Sequence, residues 1–152
     1  MRPIRPSRAT AKRHADKQAA MIIQERGPRC QICGRMRRLE AHEIARGNAD
    51  RKKARGARFA TLVVCRECHG ELDYASRWPK EKQLALLMVQ FPHDYDLGLY
   101  NHVDAPPILY QEDVDRFVPE IQEMLNANFD RGQSRGSRHR GADGRTLPPW
   151  AA

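Results

Sequence analysis

Two Cys-x₂-Cys pairs constrain this chain more than any other feature: Cys30-Gln-Ile-Cys33 and Cys65-Arg-Glu-Cys68, with 31 residues between them. Two residues between ligands let a tight knuckle turn both thiolates onto one ion, and two knuckles complete a tetrahedron. Gly34, directly after Cys33, suits such a turn, because backbone amides must wrap around the sulfur. Other chemistries use the same letters. Either pair alone fits a redox Cys-x-x-Cys, but neither lies in a recognisable βαβ unit. Cys65 to His69 fits a haem-attachment pattern, which leaves Cys30 and Cys33 unexplained. A structural Zn²⁺ on Cys30, Cys33, Cys65 and Cys68 accounts for all four. A simple zinc ribbon spaces its pairs by about 15–20 residues. The extra length here contains His42 and the basic loop "NADRKKARGAR", and it reads as a functional insertion.

A metal staple also answers a compositional problem. Apolar residues make up 40% of the 152-residue chain and charged residues 30%, so the core should be small. The start is Arg/Lys-rich without a continuous apolar stretch, and no apolar run approaches the ~20 residues that span a bilayer. The expectation is a soluble protein in a reducing compartment, with no membrane partner.

Charge is polarised along the sequence. Residues 1–69 carry a net +12, residues 70–130 a net −8 and residues 131–152 a net +4. The positive charge sits in the segment with the metal chemistry, which favours a polyanionic partner, nucleic acid and above all DNA.

The chain divides into a basic N-terminal arm or helix (1–26), a zinc-stapled module (27–76), a helical extension (77–130) and a disordered basic tail (131–152). "HADKQAAMIIQER" is helix-compatible until Gly27-Pro28 stops it. Residues 39–44 alternate as a strand, "FATLVV" is a second short strand, and "CRECHGELDYASR" begins a helix. Trp78-Pro79 opens the helix "PKEKQLALLMVQF"; residues 92–107 read as irregular. A last amphipathic helix is expected within 112–128, with Pro119 either kinking it or marking its real first turn.

The zincin pattern His-Glu-x-x-His fails, because Arg46 stands where the second histidine belongs. His42 has another partner in His69, which the second knuckle holds at a helix start. With Cys30-Gln-Ile-Cys33, Ala41-His42-Glu43-Ile44 and Leu62-Val63-Val64-Cys65-Arg66-Glu67-Cys68-His69, the sequence resembles the HNH endonuclease family. "HEIARG" with the later "WPKEKQLALL" is similar to a phage-associated branch of it. The resemblance covers about forty residues. It implies a small α+β fold, a treble-clef zinc frame carrying a ββα-metal core, with flanking helices and the disordered tail. It also implies a bacterial or phage-infected host cytoplasm.

Carried across by position, His42 matches the first ligand of a catalytic divalent cation such as Mg²⁺, Mn²⁺ or Ni²⁺, and His69 the last. The family's general-base histidine is Glu43 here, and its loop-fastening asparagine is Ala60. Glutamate, with a reference pKa of about 4.3 against about 6.5 for imidazole, is the weaker base near neutrality. Salt-bridging to an arginine such as Arg46 is the alternative role for Glu43. Glu40 shares His42's side of the strand and is expected to orient that imidazole or join the metal. Arg46, Lys52, Lys53, Arg55 and Arg58 are expected to clamp phosphates. The functions that follow are a metal-dependent DNA endonuclease, slowed by its substitutions, or a zinc module that binds nucleic acid without turnover. A protein-interaction finger using the acidic half is the third.

Overall fold

The computed structural model describes residues 5–45 and 47–136 of the chain. Helix α1 (Arg8–Glu25) starts at Ser7, whose hydroxyl accepts the Thr10 amide at 3.2 Å. It stops where expected: Gly27 adopts a left-handed φ of 86°, a conformation that favours glycine just past a helix end. The first cysteine knuckle follows and leads into strand β1 (Leu39–Glu43). Strand β2 (Thr61–Cys65) pairs with it antiparallel, with Leu39 opposite Cys65 and His42 opposite Leu62.

The connection between the strands holds a short helix, α2 (Asn48–Ala54), and a 3₁₀ turn (Arg58–Ala60), where the sequence reads as a loop. Asp50 in the first turn and Arg51, Lys52 and Lys53 in the last complement the helix dipole, and Ala54 is fully buried, so packing anchors a helix that the charge run disguises.

β2 runs straight into α3 (Arg66–Leu72). All five β2 residues are buried, because both its faces and its second edge are covered. That edge is closed by the first knuckle. The Gln31 amide donates to the Val63 carbonyl at 2.9 Å, and the Val63 amide donates to Gln31 Oε1 at 2.6 Å. Gln31 thus pins the first knuckle to the strand that carries the second, and Gln90 at the end of the next helix clasps Gln31 in turn.

Helix α4 (Lys80–Gln90) begins after Pro79, as the sequence indicates, and is the central helix. Leu84, Ala85, Leu86 and Leu87 are all fully buried, which a helix achieves only when neighbours surround it. α5 (Leu97–Val103) lies in a stretch expected to be irregular; Asp96 caps it by accepting the Leu99 amide at 2.9 Å. The single helix expected within 112–128 is two. α6 (Gln111–Asp115) ends before α7 (Val118–Gly136), and Pro119 sits in the first turn of α7, where its missing amide costs nothing. α7 continues six residues into the segment expected to be disordered; residues 137–152 lie outside the described residues.

The result is a small α+β fold with a two-stranded sheet. One hydrophobic cluster runs through it, joining Ile44, Leu62, Val64 and Leu72 to Trp78, Leu84, Leu86, Leu87, Tyr100, Val114 and Ile121. No described helix is long and apolar enough to cross a membrane.

Candidate metal centre and imidazole pair

The four cysteines meet. Their Sγ atoms all lie within 4.8 Å of one another, and Cys33 and Cys65 are 3.8 Å apart. A tetrahedron with Zn–S bonds of about 2.3 Å has edges of about 3.8 Å. The thiols are free, and the donor set is all sulfur, so the group fits a structural Zn²⁺.

Each knuckle is made locally. The Gly34 amide donates to the Cys30 carbonyl at 2.9 Å, and Gly34 takes the left-handed φ of 69° that the turn requires. Cys65 is the last residue of β2 and caps α3, which places Cys68 in the first helical turn.

Burial pushes the Cys30 thiol up, partly offset by backbone amides of Cys33, Cys65 and Ile32. Burial also raises Cys68, and the charges that Cys30 and Cys33 would carry raise it further. At Cys65 burial acts in the same direction, but hydrogen bonds from Cys68, Cys33 and Cys30 win and lower it. Crowded thiols therefore resist shared ionisation, and a cation at their centre reverses that balance.

β1 and α3 bring His42 and His69 together, with ring centroids 5.0 Å apart and planes at 85°. His42 is buried, at 4% exposure, and its pKa falls to about 4, chiefly because burial disfavours the charged ring. The ring is therefore neutral at physiological pH, the form that binds metals. Its Nε2 lies 2.9 Å from Oε1 of Gln83 on α4. His69 is half-buried, and its Nδ1 lies 2.9 Å from Glu40 Oε2.

The expectation that Glu40 orients His42 is corrected here. Glu40 stands opposite Val64, one residue before the cysteine that starts α3, so its carboxylate meets the first turn of that helix and takes His69 instead. His42, two residues farther along β1, reaches α4.

Glu43 alternates onto the other side of β1, opposite Thr61. It is half-buried and makes no side-chain hydrogen bond or ion pair among the described residues; Arg46, its suggested partner, lies outside them. Ala60 is fully buried, and its carbonyl accepts the Ile44 amide at 2.8 Å, so a backbone bond closes the loop at this point. Among the described residues, the four cysteines are the one metal-sized cluster of three or more donors; no third Cys, His, Asp or Glu joins the two imidazoles in another.

The basic residues read as phosphate clamps are placed differently from one another. Lys52 is exposed on α2. Lys53 faces Asp50 at 3.5 Å. Arg55 pairs with Asp16 at 2.6 Å, and Arg58 with Glu25 at 2.5 Å and Asp94 at 3.7 Å. These last two arginines fasten the interstrand connection to α1. Gly56 between them lets the backbones approach, since a Cβ there would lie 2.8 Å from the Ala15 carbonyl oxygen. Arg46 again lies outside the described residues.

Sequence reasoning missed the wall of the site. Beside His42 lies a cleft of about 380 Å³ lined by Arg51, Asp73, Trp78, Lys80 and Gln83 among others. Arg51 meets Asp73 at 3.3 Å with both side chains about half-exposed. The one available signal for Gln83 was a polar residue abutting the apolar run Leu84–Leu87, and nothing local links it to His42. No protein family matches the chain, and no curated protein or solved structure shows significant similarity to it.

Proposed function

We propose that this chain is an HNH-like, metal-dependent DNA endonuclease, with a divalent cation held by His42 and His69 and the scissile phosphate seated in the adjoining cleft. The observation that carries this reading is the convergence of the two rings at 5.0 Å, one from a strand and one from the first turn of the following helix, braced by the cysteine cluster. An outer acceptor on each ring, Gln83 for His42 and Glu40 for His69, supports it further, since ligand imidazoles are commonly oriented through their other nitrogen.

The cation, when bound, supplies positive charge to the phosphoryl oxygens as they become more negative. The chain supplies the rest. Arg51, at the cleft mouth and paired with a solvent-exposed carboxylate, exchanges Asp73 for a phosphate oxygen. The resemblance assigns proton removal from the attacking water to Glu43, which lies across β1 from His42 and outside the lining of the cleft, so this role is the part of the proposal that Glu43→His decides. A carboxylate is a weaker base than imidazole at neutral pH, and a general base contributes about 10²–10⁴-fold, so turnover is slow. The Ile44–Ala60 backbone bond does the fastening that an asparagine side chain does in the family this chain resembles.

One observation favours a second reading, a zinc module that binds nucleic acid without cutting it: no third donor joins the imidazoles among the described residues. Supercoiled plasmid incubated with the zinc-loaded protein and Mg²⁺, Mn²⁺ or Ni²⁺ separates the two. The endonuclease nicks the plasmid, and His69→Ala abolishes nicking while retaining zinc. Retarded but uncut DNA under every metal gives the second reading. Glu43→His raises the nicking rate if Glu43 is the base, and an unchanged rate removes it from that role.

A further inference from the structure

Gln83 lies in the helical extension, 41 residues from His42, yet among the described residues it makes the one side-chain hydrogen bond to that ring. Its own orientation is fixed. Gln83 Nε2 donates to the Trp78 carbonyl at 2.8 Å and points at the Leu72 carbonyl at 3.4 Å. Turning the amide over would set its oxygen against two carbonyl oxygens and its NH₂ against the imidazole. Both carbonyls accept only, so Oε1 must face His42, and an acceptor there requires Nε2 to carry a hydrogen. Gln83 is 5% exposed and His42 4%, so water does not compete for either group. A buried ring whose partner is an amide oxygen, not a carboxylate, stays neutral and has one N–H to place.

We infer that Gln83 is a positioning residue that locks His42 in the Nε2–H tautomer, leaving the Nδ1 lone pair as the atom the ring offers to a ligand. The helical extension is then a working part of the imidazole site, because the ββα segment contains no substitute for this contact among its described residues. The inference rests on the proposed cation site only for its purpose; the tautomer itself follows from the hydrogen-bond chain.

Long-range ¹H–¹⁵N correlation spectra of the zinc-loaded, full-length protein, labelled at histidine, read the tautomer directly. The wild-type His42 ring should show its proton on Nε2. Gln83→Leu should give a mixed or reversed tautomer and weaken binding of added Ni²⁺, followed by broadening at both rings, by about 10–100-fold. A proton on Nδ1 in the wild type, or an unchanged tautomer in a folded Gln83→Leu protein, overturns the assignment. The wild-type spectrum alone decides the matter if Gln83→Leu does not fold. Ni²⁺ that fails to bind the wild type, while the tautomer follows the pattern above, supports Gln83 as the positioning residue and defeats the metal-dependent reading instead.

Discussion

The segment around the cysteines and the helices after residue 77 are held in different ways. Between residues 27 and 76 polar groups add to the apolar core that Ile44, Leu62, Val64 and Leu72 share with the helices: four thiols, two imidazoles, and the Gln31 amide on the edge of β2. After residue 77 the ordering groups are mainly apolar, led by Leu84, Leu86, Leu87, Tyr100, Val114 and Ile121. A short two-stranded sheet cannot hold itself in water, so its geometry depends on the cysteine cluster and on the helices laid over it. The helical part supplies bulk, and through Gln83 it also reaches into the site. The region that holds the four thiols and the two imidazoles is therefore the one least able to fold alone, and the position of His42 is imposed from both sides.

Chelation is the strongest way to test that contrast. Native mass spectrometry should find one zinc per chain. Removing it, or making Cys65→Ser, should strip amide-exchange protection from residues 30–72 before α4 and α7 lose theirs. Structural zinc is worth about 10–16 kcal/mol in small finger peptides, more than a single core side chain supplies. Simultaneous loss in both parts would show that they share one source of stability. Leu86→Ala attacks the other side of the contrast. Leu86 is fully buried in α4, and its truncation should cost about 2–5 kcal/mol in urea unfolding with the zinc retained.

The pH dependence of unfolding sharpens the contrast within the site. His42 has its pKa lowered to about 4 in the folded chain against about 6.5 unfolded, so between these values the unfolded state binds the extra proton. Stability should fall as pH drops from about 6.5 to about 4, level off below, and lose about 3 kcal/mol in all through this residue. His42→Leu should flatten that slope relative to wild type at matched zinc occupancy. The smallest expected effect is at Arg51. Its exposed pair with Asp73 contributes under about 1 kcal/mol, so Arg51→Gln should leave the unfolding midpoint nearly unmoved. The same change should lower DNA affinity and reduce the salt slope of binding by about one.

Much of the frame is legible before any coordinates. The knuckles could be read because a Cys-x₂-Cys turn is closed by backbone contacts within a few residues, and Gly27 and Pro79 punctuate α1 and α4 through their own backbone constraints. Strand alternation set Glu40 with His42 and opposed Glu43 to both. α2 and α5 were not legible. The first hides in a charge run and the second in a stretch rich in Asp, Pro and His, and both are fixed by residues they bury, Ala54 and Tyr100.

The pairings within the site lay beyond the sequence. Arg55 and Arg58 look like free cations in a basic loop, yet they serve the docking of α1. Buried Arg26 bonds Asp94, 68 residues away, the Thr61 carbonyl and the Arg58 carbonyl, tying the basic half to the acidic half.

The sequence by itself determined the four-thiol frame and which side of β1 each candidate residue occupies, because those properties arise within a few peptide units. Only the tertiary structure decided that Glu40 serves His69 and that Gln83 serves His42. Those partners are 29 and 41 residues apart along the chain, and side chains so distant find each other through the packing of α3 and α4 around the sheet, which no local spacing encodes.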